Sequence, residues 1–145
     1  MVKLTTLLCE GLKLNPLTTF QQLRHAKTIM CYHASESSNF EPYDASLHVG
    51  SIQQAMDIIK NMKTKKHYEF KKFYVYELEV SLGSISDVLF DEDPHIEDST
   101  NLRHNSYAYT NRIEHSHGFR QGSNISVVIT NPTEQVISKK LVKVI

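Results

Sequence analysis

The feature that most constrains this chain is a switch of hydrophobic period on either side of Lys65-Lys66. Before it, Ile52, Ala55, Met56, Ile59 and Met62 recur at helical spacing behind Ser51, a good N-cap. After it, Phe70, Tyr74, Tyr76, Leu78 and Val80 alternate, as in a half-buried strand that ends before Gly83. One sequence cannot satisfy both periods with a single kind of element. The flanking segments repeat the mixture. Leu4, Leu7, Leu8 and Leu12 keep helical spacing up to about Gly11. Asn15-Pro16 then caps a second stripe of Leu17, Phe20 and Leu23, so two short helices are expected to open the chain. Thr28-Ile29-Met30-Cys31-Tyr32-His33 reads as a buried strand and Leu47-His48-Val49 as a very short one. Ile125–Thr130 and Val136–Val144 read as closing strands, with Asn131-Pro132-Thr133-Glu134 as the turn between them. Helices first, then strands interrupted by one clear helix, imply an α+β fold rather than regular βαβ winding.

A length of 145 residues fits one domain spanning residues 1–145, with 1–27 as an N-terminal helical segment and 28–145 as the core. Sixteen Lys and Arg balance sixteen Asp and Glu, which excludes a globally basic nucleic-acid binder but not a local basic patch. No apolar stretch approaches the roughly 20 residues of a membrane span, and Glu10 breaks the short apolar run at the start, a poor signal peptide. Cys9 and Cys31 are too few for a disulfide scaffold. The expected setting is therefore a reduced cytoplasm, with no membrane partner.

Searches for known chemistry are mostly empty: no glycine-rich phosphate loop, no HExxH and no GxSxG. His115 and His117, with His104 nearby, lack a clear third ligand, so no metal site is assigned. Cys31 and His33 fall on one strand face, a geometry open to a thiolate pair or to a simple buried cysteine. Lys60, Lys63, Lys65, Lys66, Lys71 and Lys72 interleave with His67, Tyr68, Phe70 and Phe73. This basic run reads either as a phosphate-binding patch or as the solvated end of a helix plus one strand face. Ser84 to Ser106 is acidic and irregular, the kind of loop in which acceptor choice resides.

Three segments, in order, resemble the ADP-ribosyltransferase family, and most nearly its small bacterial and phage-type members. Tyr32-His33-Ala34-Ser35 is similar to the family's His-Gly-Ser/Thr segment. Leu47-His48-Val49-Gly50-Ser51, with Gln53, Gln54 and Ala55 in the next helix, is similar to its second strand and helix. Tyr109-Thr110-Asn111-Arg112-Ile113-Glu114, then Ser126-Val127-Val128-Ile129 and Asn131 to Val136, resembles its late acidic segment and closing strands. The resemblance runs from about Ile29 to the C-terminus. It implies a split antiparallel β-sandwich with flanking helices, NAD as co-substrate, and a protein or nucleic-acid acceptor. If the chain is phage-encoded, it implies action in the host cytoplasm.

Carried over by position, His33, Ala34 and Ser35 would hold the ribose and the nicotinamide amide. His48 would stack on nicotinamide, with Gly50 and Ser51 beside it. Glu114, upstream of the position that matches the family's glutamate, is taken as the catalytic carboxylate, since the serine at that position cannot hold a negative charge at neutral pH. Tyr109, Asn111 and Ser126 would orient these groups. Breaking an N-glycosidic bond builds positive charge at the ribose, which a fixed carboxylate stabilises.

The chain departs from the family pattern at three places. Ala34 replaces glycine, His48 replaces tyrosine, and Ser126 stands where many members carry the glutamate. The last departure motivates an alternative, a catalytically inactive module on the same fold that binds and inhibits a partner protein. A related RNA phosphotransferase would want several cleft arginines, and this chain has only Arg24, Arg103, Arg112 and Arg120.

Overall fold

A computed structural model describes residues 11–42, 46–87, 104–110 and 125–145. Its order is β1 (Leu12–Lys13), α1 (Phe20–Arg24), β2 (Thr28–Ser35), β3 (Leu47–Val49), α2 (Ile52–Lys63) and β4 (Tyr74–Ser81). There follow β5 (Ile85–Asp87), β6 (Ser106–Thr110), β7 (Ile125–Ile129), α3 (Pro132–Gln135) and β8 (Val136–Val144). These elements form two four-stranded sheets, in the orders β1-β2-β4-β8 and β3-β7-β6-β5. The α+β class read from the period switch is what the molecule adopts.

Both sheets are mixed rather than purely antiparallel, because β1 pairs with β2 and β5 with β6 in parallel. The long antiparallel ladders are β2 with β4 and β4 with β8. One isolated bridge joins the sheets: Tyr32 and Gly50 exchange backbone hydrogen bonds of 2.7 and 3.0 Å. That bridge sits where the chain leaves β3 for α2, so it sets β2 beside β3.

The alternation in β2 sorts its residues between two layers. Ile29 and Cys31 enter the core shared by the sheets, with Leu78 and Val80 of β4 and Val127 and Ile129 of β7. Tyr32 faces the other way and packs with Ala55 and Ile59 of α2. Helix α2 forms because its apolar stripe has this surface to cover, and because Ser51 and Gln54 close a reciprocal capping box. Truncating a fully buried side chain such as Leu78 to alanine would cost about 2–5 kcal/mol. Gly83, at φ +59°, turns the chain from β4 towards β5; a Cβ there would meet Asn105 Oδ1 at 2.4 Å.

The opening residues differ from expectation. Residues 1–10, which carry most of the first expected helix, lie outside the described residues, and Leu12 belongs to a strand. The second helix starts at Phe20, not after Pro16. Thr19 and Gln22 form a full capping box, whereas Asn15 Oδ1 accepts from Leu17 N to close a tight turn. The T-x-x-Q signal outcompeted the Asn-Pro one because it satisfies two backbone donors at once. Likewise β4 begins at Tyr74, and Phe70 lies in the turns before it.

The edge strand β8 exposes Ile137, Leu141, Val142 and Val144. Lys139, Lys140 and Lys143 are interspersed among them, the usual charge device against edge-to-edge pairing.

Candidate functional site

A cleft of about 610 Å³ opens between the end of β2 and the start of β3, lined by His33, Ser35, Ser37, Phe40, Glu41 and His48 among others. Volumes of roughly 300–1,000 Å³ suit small-molecule ligands. Both histidines singled out in the sequence therefore reach one site. They are also coupled directly, since His33 Nδ1 lies 2.9 Å from the His48 carbonyl oxygen. A carbonyl can only accept, so Nδ1 carries the proton and neutral His33 keeps Nε2 as an acceptor. Burial lowers the His33 pKa below its ordinary 6.5, outweighing the backbone hydrogen bond that acts in the opposite direction. At neutral pH the ring is thus an uncharged acceptor in fixed orientation, suited to a hydroxyl donor.

His48 is held from the other side. Its Nδ1 lies 2.6 Å from the Tyr109 hydroxyl, and the rings meet edge to face. Tyr109 is buried on β6 opposite Ser126 in register, so the second sheet positions the His48 ring.

The rim between Ser35 and Glu41 is braced by residues that sequence reasoning passed over. Tyr76 donates to the Ser37 carbonyl at 3.1 Å and receives a hydrogen bond from Phe40 N at 3.4 Å. Lys139 of β8 reaches the Phe40 carbonyl and the Glu41 carboxylate. Phe40 lies against the His33 ring, with centroids 4.9 Å apart. Residue 40 carried a weak signal, an aromatic in a mostly polar stretch; Lys139 carried none, since its partners Phe40 and Glu41 are nearly a hundred residues away in sequence.

Other named residues fall elsewhere. Ser35 lines the cleft and accepts from Ser37 N. Ala34 packs towards the α2 layer, and its backbone pairs with Val75. Gly50 and Ser51 are buried at the bridge and at the α2 cap. Ser126 is buried too, and its Oγ accepts from Gln54 Nε2 at 2.9 Å. Gln54 Oε1 in turn accepts from Ser51 N at 2.8 Å. Gly50 makes room for this: a Cβ there would meet Gln54 Oε1 at 2.2 Å. Ser126 is thus tied into the interior rather than presented to a ligand. Glu114 and Asn111 lie outside the described residues.

Cys31 is fully buried, and its thiol donates to the Leu78 carbonyl at 3.6 Å. Desolvation raises its pKa strongly, so it is a packed thiol and not a nucleophile. Among the described residues no cluster of three or more His, Cys, Asp or Glu could hold a metal ion, and no helix is long and apolar enough to cross a membrane.

In comparisons with protein-family models, curated proteins and solved structures, none matches this chain.

Proposed function

We propose that this chain is an NAD-dependent ADP-ribosyltransferase acting on a protein or nucleic-acid acceptor, with an ADP-ribosyltransferase-like arrangement of its two sheets. The observation that carries this reading is the convergence of His33 and His48 on one cleft through the Tyr32–Gly50 bridge. A neutral His33, oriented to accept from a hydroxyl, suits a ribose. Ser35 and Ser37 add hydroxyls at the same wall, and the His48 ring offers a planar surface for nicotinamide. Glu114 supplies the carboxylate that stabilises the ribosyl cation as nicotinamide leaves. Incubation with labelled NAD and a cell extract tests the reading: nicotinamide release and label transfer are expected. Glu114→Gln should lower nicotinamide release by about 100-fold or more. Absence of both NAD binding and turnover in the unsubstituted protein would sink the proposal.

A second reading, an inactive module that binds a partner protein, draws on a different observation. Ser126 is consumed by the Gln54 network and offers no acid from the position where many family members have one. A stoichiometric complex with a partner that survives His33→Ala, without NAD turnover, would favour it.

A further inference from the structure

We infer that the segment from Lys60 to Lys72 is a docking surface for single-stranded nucleic acid, with phosphates held by its lysines and a base stacked on Phe70. It contains six lysines against one acidic residue, Glu69. Among the described residues Lys60, Lys65, Lys66 and Lys72 form no ion pair, and all four are exposed. In their midst Phe70 is 92% exposed, the most exposed large hydrophobic residue described. The turns of residues 64–70 present it outward, while its neighbours Tyr68 and Phe73 pack against each other, with ring centroids 6.2 Å apart.

Cations flanking one free aromatic face match the alternation of phosphate and base along an unpaired strand. An anionic membrane would also attract the lysines. Insertion, however, needs an apolar cluster, and the other exposed large hydrophobics of the described residues lie on other segments, chiefly β8. The patch also adjoins the cleft. Lys71 pairs with Glu36, which stands between the cleft-lining Ser35 and Ser37. A strand lying across the patch would therefore pass the cleft rim. The inference stands whether or not the cleft turns over NAD.

The test is fluorescence anisotropy of the full chain with labelled oligothymidylate and oligouridylate, alongside sedimentation with phosphatidylserine vesicles. Binding should weaken roughly 50-fold between about 50 and 200 mM salt, the slope for four phosphates on a single strand. Phe70→Ala should weaken it about tenfold, and Lys65→Glu with Lys66→Glu by more than that. Far-UV circular dichroism and melting of these surface variants should match the parent. Oligonucleotide binding that ignores both sets of substitutions overturns the proposal. So does the absence of oligonucleotide binding, with or without capture by the vesicles. Loss only in the lysine variants would overturn the stacking role of Phe70.

Discussion

Two polar clusters meet where β3 runs into α2, and they behave in opposite ways. At the Gly50–Ser51 junction, Gln54 joins the helix cap to Ser126 of β7 through bonds of 2.8 and 2.9 Å, all among buried groups. At the neighbouring cleft, His33 spends one nitrogen on the His48 carbonyl and keeps the other as an acceptor. The family resemblance put His33, His48, Gly50 and Ser51 at the ligand and Ser126 behind them, and gave Gln54 no role. Saturation separates them: a buried polar group whose bonds are internal stabilises the fold, and one left with a free acceptor at a cleft wall awaits a partner.

The sharpest way to break that contrast is Gln54→Leu. It strands the Ser51 N–H and the Ser126 hydroxyl in the interior. It should cost roughly 3 kcal/mol in denaturant unfolding and lower Tm by about 10 °C. If the protein unfolds as before, the cluster is not structural. His33→Ala should act on the other side of the comparison, weakening NAD binding by about tenfold in titration calorimetry, with a smaller loss of stability. An equal affinity in the variant would remove His33 from the ligand site.

A gentler probe uses protons. The folded-state pKa of His33 lies below 6.5, so the unfolded chain binds the proton more readily. The stability due to neutral His33 is fully present above about pH 6.5 and is lost as pH falls through the folded value. His33→Asn keeps a donor for the His48 carbonyl but does not titrate. Its unfolding free energy should therefore decline less than that of the parent between about pH 7 and 5. Parallel pH profiles would contradict the assignment. The smallest effect is expected from Ser126→Ala, about 1 kcal/mol, since only one hydrogen bond to Gln54 goes. Its NAD turnover should stay close to that of the parent, whereas a large loss would return Ser126 to the active centre.

Much of the fold was legible along the chain because it depends on local periods and caps. The five-residue apolar stripe behind Ser51 became α2, the alternation expected from Phe70 became β4 from Tyr74 on, and the two closing strands appear within a residue or two of their expected bounds. Where two local signals competed, as Asn15-Pro16 did with Thr19 and Gln22, the chain took the one that closes two hydrogen bonds. The parallel pairing of β1 with β2 could not be read, because a two-residue strand has no period.

The site was legible by residue type and not by partner. His33 and His48 were both named, yet their bond joins a side chain to a backbone carbonyl, which no side-chain pattern encodes. Tyr109 and Lys139, from distant parts of the chain, hold the cleft-lining His48 and the Phe40–Glu41 rim, and Phe40 lies against the His33 ring. By itself, then, the sequence determined the α+β class and the main helix, because periodicity and capping are local, while His33 and His48 were singled out only through the family resemblance. Only the tertiary structure decided that Ser126 is an interior anchor while His33 faces a cleft. Burial and hydrogen-bond saturation depend on which strands come to lie side by side.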